Sequence, residues 1–352
     1  MNAESSKIDI KDLSRQELAA WLQERGVRKF RTDQILRWIY LHQTDHFATM
    51  FNLGKTLREQ LDASFINPRL SVEQEAVSQD GSRKLLFRLH DGRHVETVLI
   101  PEKGHYTLCV SSQVGCRQGC RFCMTAKGGW VRDLSAGEII SQVRDAQKMV
   151  SDAGDMPLTN VVFMGMGEPL DNYDRLVRAL AVITNGDWGL KLSARRVTVS
   201  TAGLVPRMAD LGRDTRVNLA ISLNAADDDT RSRLMPINRR HPIADLLAAC
   251  KRYPLPPRRK ITFEYILMKG VNDSLADARR LAKRLRPIKA KINLILFNEH
   301  PGSDFERPQE NHVIRFQELL ADQHYTAIVR HSKGQDIGAA CGQLRAKLKI
   351  DG

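Results

Sequence analysis

The chain has 352 residues and a formal net charge of +13, from 54 lysine and arginine residues against 41 aspartate and glutamate residues. Its 42% hydrophobic and 27% charged residues are typical of a folded globular protein, and no apolar run reaches the roughly 20 residues of a membrane-spanning helix. We therefore expect no membrane partner, no signal peptide at the polar N-terminus and a cytoplasmic location. The basic excess leaves two interpretations open, a polyanionic partner such as nucleic acid or a solvated basic surface.

Residues 1–65 have the spacing of a small helical module. The capping box Ser14-x-x-Glu17 opens its first helix, because these side chains can satisfy each other's backbone N–H groups at a helix N-terminus. Two further amphipathic helices are predicted from the apolar residues Ile35, Trp38, Ile39, Leu57 and Leu61. The module also holds five arginine and lysine residues between positions 25 and 37, so it can contribute to binding a polyanion.

Residues 66–104 are predicted to be a β-hairpin extension, since the sequence from Lys84 to Ile100 has the alternating pattern of β-strands. Leu85–Leu89 and Val95–Ile100 flank the dipeptide Asp91-Gly92, which is a strong hairpin signal. Glu96 falls on the same strand face as apolar residues of the second strand. A carboxylate in that position is either an edge residue or a poised group of a site, and the pattern leaves both open.

From residue 105 to residue 300 strands alternate with helices, which predicts an α/β fold. Six apolar runs are expected to be strands: Thr107–Val110, Val161–Met164, Val197–Ser200, Val217–Leu223, Ile261–Leu267 and Ile292–Phe297. The first of the intervening helices opens with the capping box Ser135-x-x-Glu138. Such a series forms a parallel sheet, open or curled toward a barrel, with its site at the C-terminal ends of the strands. Residues 301–352 are a C-terminal extension with a last strand at Ala327–Arg330.

Three of the six cysteines, Cys116, Cys120 and Cys123, form a C-x3-C-x2-C motif just after the first strand of this series. Thiolates select zinc or iron–sulfur centres, and three thiolates leave one position of a four-ligand centre open. Cys109 could close a structural zinc site as the fourth ligand, and simple burial is a further alternative. A disulfide scaffold is not expected in a chain of this length without a signal peptide.

The motif, placed after the first strand, resembles the signature of the radical SAM superfamily. The resemblance extends to Gly165–Pro169 after the second strand, which is similar to the superfamily's glycine–glutamate segment. It implies a partial (β/α)6 barrel as a radical SAM core over residues 105–300, with the helical module and the hairpin as additions. It also implies two cofactors, a 4Fe-4S cluster held by three cysteines and S-adenosylmethionine on the fourth iron.

A narrower resemblance, over essentially the whole chain, is to the RlmN/Cfr family of radical SAM ribosomal RNA adenine methyltransferases. The residues that carry it are Gly165–Pro169, Ser200–Gly203, Ser222–Asn224 and Gly334–Leu344. The resemblance implies that the helical module is an RNA-binding accessory domain. It also implies that the C-terminal extension carries a methyl-accepting cysteine.

The family's functional positions correspond to individual residues of this sequence. The cluster ligands would be the three cysteines of the motif. Contacts to S-adenosylmethionine would come from Gly167, Glu168, Ser200, Ser222, Leu223, Asn224 and Asn298. Cys341 would carry the methyl group as a thioether, Cys109 would attack its sulfur to release the product, and Glu96 would accept the ring proton.

The implied reaction is methylation of carbon 2 of an adenosine in the peptidyl-transferase centre of 23S rRNA, with adenosine 37 of tRNA as a further candidate. Ordinary SN2 transfer fails at this electron-poor ring carbon, which explains the methylated cysteine and the use of two S-adenosylmethionine molecules. Two alternatives stay open: methylation at carbon 8 by the same residues, and a zinc-stapled RNA-binding protein without catalysis. A low-potential electron donor and a monomeric state are also expected.

Three basic clusters support an RNA partner: Arg239–His241, Pro256–Lys260 and Arg279–Lys291. Lysine and arginine neutralise phosphates and give affinity without reading sequence. For the third cluster a solvated basic helix face is the simpler interpretation.

Overall fold

The structure is a computed structural model that describes residues 7–346. Residues 1–6 of the predicted helical module and residues 347–352 of the predicted C-terminal extension lie outside this range. Within the described range, no helix is long and apolar enough to cross a membrane.

The N-terminal module contains all three predicted helices. Its elements are β1 (Ile8–Asp9), α1 (Arg15–Gln23), α2 (Arg31–Tyr40), α3 (Lys55–Ser64) and β2 (Phe65–Ile66). The capping box at α1 is formed as predicted, since the Ser14 hydroxyl accepts from the Glu17 N–H and the Glu17 carboxylate accepts from the Ser14 N–H. β1 and β2 pair in parallel and join the two ends of the module.

Three antiparallel strands follow the module: β3 (Ser71–Val77), β4 (Arg83–Arg88) and β5 (His94–Glu102). The predicted hairpin is β4–β5, and its turn holds Gly92 at φ 78°, a left-handed conformation that suits glycine. β3 was not predicted, because most of its side chains are exposed and it lacks an apolar alternation. β5 pairs with β6 (His105–Cys109), so the hairpin continues the main sheet.

The loop after β6 carries the cysteine motif and three small elements. These are β7 (Gln113–Gly115), α4 (Met124–Lys127) and β8 (Trp130–Asp133). β7 and β8 pair antiparallel as a two-stranded ribbon. The motif therefore lies between strands that brace the loop at both ends.

The rest of the described chain alternates helices and strands, as predicted. The elements are α5 (Ala136–Asp152), β9 (Leu158–Phe163), α6 (Tyr173–Ile183), β10 (Val197–Thr201), α7 (Val205–Asp214), β11 (Asn218–Ser222), α8 (Asp228–Leu234), α9 (Ile243–Arg252), β12 (Ile261–Leu267), α10 (Leu275–Leu285), β13 (Ala290–Leu296), α11 (Glu310–Asp322) and β14 (Ala327–Arg330). All six predicted core strands are present, and β12 and β14 have the predicted bounds.

Ten strands form one sheet in the order β14-β13-β12-β11-β10-β9-β6-β5-β4-β3. From β6 through β9 to β14 every neighbouring pair is parallel. The linear order makes this an open, partial barrel with a short antiparallel extension, as expected. Because the parallel strands run the same way, their C-terminal ends meet at one rim.

A buried polar junction joins the N-terminal module to the core. Arg144 on α5 is fully buried and donates to Asp145 Oδ1 at 2.8 Å, Asn67 Oδ1 at 3.0 Å and the Pro68 carbonyl at 3.0 Å. Lys11 of the module donates to the same two acceptors on Asn67 and Pro68, at 3.3 and 2.8 Å. Burial lowers the pKa of Lys11 to about 8. Two cations from different parts of the chain therefore share one set of acceptors.

Arg144→Met is expected to lower the free energy of unfolding by about 3–5 kcal/mol, because it removes the fully buried cation that pairs with Asp145 and takes one donor from each of Asn67 and Pro68. Lys148→Met is the matched control on the same helix, since the Lys148 side chain is 39% exposed and its ion pair is with the exposed Asp152. The control is expected to lower stability by less than about 1 kcal/mol. Urea unfolding followed by circular dichroism measures both, and equal losses would contradict the role given to the junction.

Candidate active site

One cavity opens at the rim formed by the C-terminal ends of the parallel strands. All three cysteines of the motif line it, together with Cys341. Five predicted cofactor contacts also line it: Gly167, Glu168, Ser200, Ser222 and Asn224. Residues from the first and last parts of the core therefore share one site.

Backbone hydrogen bonds anchor the start of the cysteine motif and form a turn within it. The Cys116 N–H donates to the Gly129 carbonyl at 2.8 Å, and the Cys123 N–H donates to the Cys120 carbonyl at 3.2 Å. Burial is the main reason that the pKa of the Cys120 thiol is raised. The nearby thiols of Cys123 and Cys116 raise it further. The three thiols therefore lie within electrostatic reach of one another.

The donor set fits an iron–sulfur cluster better than a single zinc ion. Within residues 7–346, no group of three or more His, Cys, Asp or Glu side chains is arranged to hold one metal ion. A 4Fe-4S cluster takes one thiolate per iron, so its ligands stand apart around the cluster. The zinc alternative also needs Cys109, which belongs to the apolar core and does not line the cavity.

Glu168 is a buried carboxylate that has no cationic side chain as a partner in the described part of the chain. Its two oxygens accept from the N–H groups of Ala202 at 2.7 Å and Leu170 at 3.1 Å. Burial raises its pKa to about 7. An ammonium group in the cavity would pair with this carboxylate, which fits the predicted contact to the amino group of S-adenosylmethionine.

Gly165 and Gly167 allow the segment after β9 to lie against the loop after β6. A Cβ on Gly165 would stand 2.7 Å from the Val110 carbonyl oxygen, and one on Gly167 would stand 2.6 Å from Gln113 Cβ. Gly167 also has φ 101°, in the region that favours glycine. These glycines are thus required by backbone packing, in addition to any close approach to a ligand.

Ser200 and Ser222 stand at the C-terminal ends of neighbouring strands, β10 and β11. Both line the cavity. Neither hydroxyl has a hydrogen-bond partner among the residues that the structure describes. Both are therefore available to a ligand.

Asn224 and Leu223, unlike the two serines, do not present an unpartnered side chain to the cavity. Asn224 lines the cavity, but its Oδ1 accepts from the Ile266 N–H at 2.9 Å and its Nδ2 donates to Met235 Sδ at 3.3 Å. Leu223 is fully buried in the apolar core and does not line the cavity. A contact from Leu223 to a ligand would therefore have to use its backbone.

The Cys341 turn is held against the cysteine loop and against Asn298. The Met124 N–H donates to the Gly342 carbonyl at 2.7 Å, and Asn298 Nδ2 donates to the Cys341 carbonyl at 3.1 Å. Asn298 Oδ1 is buried and has no hydrogen-bond partner within residues 7–346. It does not line the cavity itself, but this oxygen is able to accept from a ligand beside the turn.

The two thiols that are predicted to react with each other are neighbours in space. Cys109 ends β6, and after burial the nearby Cys341 is the largest cause of the raised pKa of its thiol. Burial also raises the pKa of the Cys341 thiol to about 11, although the residue as a whole is exposed on its turn. Both thiols are free in the structure.

Glu96 lies on the same face of the sheet as Cys109 but does not line the cavity. Its Oε1 is 3.0 Å from Lys84 Nζ, and its Oε2 accepts from the N–H groups of Arg345 at 2.6 Å and Ala346 at 3.0 Å. Glu96 is only 4% exposed, so the edge-residue interpretation is wrong. It is a buried acid whose partners include the chain just after Cys341.

A second buried acid, Glu264, lines the cavity and was missing from the predicted site. It is part of β12 and accepts from Asn293 Nδ2 at 2.9 Å. Burial raises its pKa to about 7, and after burial Glu264 is the largest cause of the raised pKa of the Cys341 thiol. The sequence did hold a signal, because a glutamate interrupts the otherwise apolar run Ile261–Leu267.

Comparisons with known proteins agree with this geometry. Residues 110–282 match the radical SAM superfamily, and residues 8–66 match the ribosomal RNA large subunit methyltransferase N-terminal domain. The chain is 55% identical to the dual-specificity RNA methyltransferase RlmN of Desulfosudis oleivorans, over 99% of this chain and 94% of that protein. The protein of the same name from Geobacter sulfurreducens is 52% identical, over 97% of this chain and 93% of that protein. The chain belongs to the RlmN family.

A solved structure has the same fold as this RlmN-family chain. The crystal structure of a radical SAM methyltransferase from Sphaerobacter thermophilus superposes with a TM-score of 0.90 at 44% identity. The match covers 97% of this chain and 100% of that chain. The predicted radical SAM fold is therefore confirmed.

Membership of the RlmN family also confirms that the chain is a radical SAM enzyme. It confirms the two predicted cofactors, S-adenosylmethionine and a 4Fe-4S cluster. Family membership therefore disfavours the alternative interpretation, a zinc-stapled RNA-binding protein without catalysis. The side chains that hold these cofactors stay a prediction. The lining of the cavity names the candidates.

Gly115→Ala is expected to lower the iron content of the reconstituted RlmN-family protein. Gly115 directly precedes Cys116 at φ 77°, and an added Cβ would stand 2.0 Å from the Gly129 carbonyl oxygen. The clash would separate β7 from β8 and shift the first cysteine of the motif. Iron and protein assays after anaerobic reconstitution measure the change.

Gly129→Ala is the matched control, since Gly129 has φ 72° but an added Cβ there would meet no heavy atom within 4 Å. It is expected to lose about 1–2 kcal/mol of stability from left-handed strain and to keep its iron. If both variants bind iron as the parent does, the ribbon has no part in holding the cysteine loop.

Proposed function

We propose that this RlmN-family protein methylates carbon 2 of an adenosine in 23S rRNA and of adenosine 37 in tRNA. The name of its relatives, dual-specificity RNA methyltransferase, supports RNA substrates of more than one kind. The observation that carries the proposal is that Cys341 lines the same cavity as all three cysteines of the motif. A methyl group carried on Cys341 would stand beside both cofactors. The carbon 8 reaction is not favoured, because the relatives carry the RlmN name.

The lining of the cavity supports a part for the three cysteines and for three of the predicted cofactor contacts. The thiolates of Cys116, Cys120 and Cys123 would hold the cluster. Glu168 would pair with the amino group of S-adenosylmethionine, and the hydroxyls of Ser200 and Ser222 would hydrogen-bond to it. When bound, these cofactors supply a methyl cation equivalent and a radical that abstracts hydrogen.

Cys341 is the proposed methyl carrier. Its thiol loses a proton and its sulfur gains the methyl group, which leaves an uncharged thioether. An uncharged group is tolerated in a buried cavity, whereas an isolated thiolate is not. Asn298 holds the Cys341 carbonyl and so fixes the turn that presents this sulfur.

Cys109 is proposed to release the product. After the methyl carbon has bonded to the adenine ring, the RNA is linked to the protein through the sulfur of Cys341. The Cys109 thiolate attacks that sulfur, and a disulfide forms as the carbon–sulfur bond breaks. The electron pair of that bond stays on the RNA carbon, which takes up a proton to complete the methyl group. The proximity of the two thiols supports this step.

Glu96 is proposed to accept the ring proton. Its Oε2 already accepts from the N–H groups of Arg345 and Ala346, and its Oε1 pairs with Lys84. An oxygen with two donors is a poor proton acceptor until those bonds break. The proposal therefore requires the chain after Cys341 to move away from Glu96 when RNA binds.

The remaining expectations concern the surroundings of the enzyme. We propose a low-potential electron donor as a partner for the cluster, a monomeric state and a cytoplasmic location. The N-terminal module is proposed to bind RNA, which its match to a ribosomal RNA methyltransferase domain supports.

Nucleoside analysis tests the proposed reaction. The reconstituted protein is incubated with S-adenosylmethionine, a reductant and either a 23S rRNA fragment or tRNA, and the digested RNA is examined by mass spectrometry against synthetic standards. We expect 2-methyladenosine from both RNAs. Methyl at carbon 8, or no methylated adenosine from either RNA, would overturn the proposal.

Cys109→Ala is expected to stop the cycle after the RNA–protein bond has formed, so that RNA copurifies covalently with the variant. The buried Cys250 provides the control, since Cys250→Ala removes a core thiol on α9 that lines no part of the cavity. Denaturing gels with and without ribonuclease show the crosslink, which the control is expected to lack. A Cys109→Ala protein that is free of RNA yet methylated on Cys341 would contradict the role of Cys109.

A further inference from the structure

Two basic clusters that are separate in sequence form one cleft in the structure. Arg258–Lys260 precede β12, and the other basic residues lie on α10 and in the turn before β13. We call this feature the basal cleft, and it is formed by Arg258–Lys260, Arg279, Lys283, Arg286 and Lys289. Its floor includes apolar side chains such as Ile288 and Leu319. The tertiary structure thus gathers charges from different elements around a concave surface.

The basal cleft lies at the opposite end of the sheet from the cysteines. It borders the N-terminal ends of β12, β13 and β14, whereas Ile266, near the C-terminal end of β12, lines the active-site cavity. The 7 residues of β12 span about 23 Å at roughly 3.3 Å per residue. A ligand that occupies both places must therefore extend over much of the length of this strand.

The positive charge of the basal cleft is not compensated by the protein. Asp322 is the one acidic residue in the lining, and within residues 7–346 none of the cleft's lysine or arginine residues forms an ion pair with a carboxylate. Among their contacts, Arg259 donates to the Arg216 carbonyl, and Lys260 lies 3.5 Å from the Thr326 hydroxyl. Elsewhere, by contrast, Arg132 pairs with two carboxylates.

A solvated helix face accounts for only part of the cleft. Lys283 lies in the last turn of α10, where a cation complements the negative end of the helix dipole. The helix dipole does not explain Arg258–Lys260 or Lys289, because these residues lie outside α10, in the segments that lead into β12 and β13. Several exposed cations around one concavity, without acidic partners, are the arrangement that binds a run of phosphates.

We propose that the basal cleft binds the phosphate backbone of the RNA substrate at a point remote from the target adenosine. The inference rests on the proposed function for the identity of the polyanion as RNA. It adds that recognition extends around the barrel, from the rim with the cysteines to the opposite end of the sheet. A long, folded RNA gains affinity from the cleft, and an RNA too short to reach it does not.

Two matched triple variants of the full chain test the proposal. The cleft variant is Arg258→Gln/Lys283→Gln/Lys289→Gln, and the control is Lys103→Gln/Lys191→Gln/Arg315→Gln. All six side chains are exposed, and both variants lose the same charge. Fluorescence anisotropy measures Kd over a range of salt concentrations, using a full-length tRNA transcript and its isolated anticodon stem-loop. Thermal unfolding verifies that both variants fold.

The cleft variant is expected to bind full-length tRNA about 10- to 100-fold more weakly near 0.15 M salt, and the slope of log K against log salt is expected to fall by about 2–3. The control variant, and the stem-loop with either variant, are expected to bind as the parent does. Unchanged tRNA affinity in the cleft variant would overturn the proposal. So would an equal loss in the control or an equal loss on the stem-loop.

Methylation is assayed separately, on the nucleosides of the same RNA. A parent protein that binds tRNA through the basal cleft but yields no methylated adenosine would overturn the proposed reaction and support the cleft. If the parent methylates tRNA and the cleft variant binds tRNA with parental affinity, the proposed reaction is supported and the role of the basal cleft is overturned.

Discussion

The site depends on the parallel pairing of the core strands. Cys109, Ser200 and Ser222 lie at or near the C-terminal ends of β6, β10 and β11, and Glu168 follows β9. Parallel strands in register bring those ends to one rim, so Glu168, Ser200 and Ser222 line one cavity although they are far apart in sequence, while Cys109 lies in the core. The close contact of the segment after β9 with the loop after β6, which needs glycine at positions 165 and 167, closes one side of that cavity.

The C-terminal segment completes the site from the other side. Its backbone bonds to Met124, in the short helix that follows the last cysteine of the motif, and to Asn298 after β13. A few residues later the same segment gives its N–H groups to Glu96. The proposed methyl carrier and the proposed proton acceptor are therefore linked by one short stretch of chain. Any movement of that stretch changes the position of Cys341 and the partners of Glu96 together.

The active-site cavity and the basal cleft are lined by charged groups of opposite sign. The cavity holds buried carboxylates, at Glu168 and Glu264, and needs a cationic or hydrogen-bonding ligand to balance them. The basal cleft holds exposed cations without acidic partners. A small charged cofactor suits the first and a long polyanion suits the second, which is consistent with one enzyme that handles both.

The sequence by itself determined the element types, the cysteine motif and the family. Strong local patterns explain that success: capping boxes at Ser14 and Ser135, the Asp91-Gly92 turn and apolar runs such as Ile261–Leu267 all formed as predicted. β3 was missed because an exposed strand has no apolar alternation to detect.

Only the tertiary structure decided which side chains face the cavity. Glu264 faces it and Leu223 does not, and this depends on strand packing that no local pattern records. The basal cleft was likewise invisible in sequence, where its charges resembled a solvated helix face. The cleft can bind a polyanion only because two segments meet at the base of the sheet. Charges interact according to their distance in space, which spacing along the chain does not give.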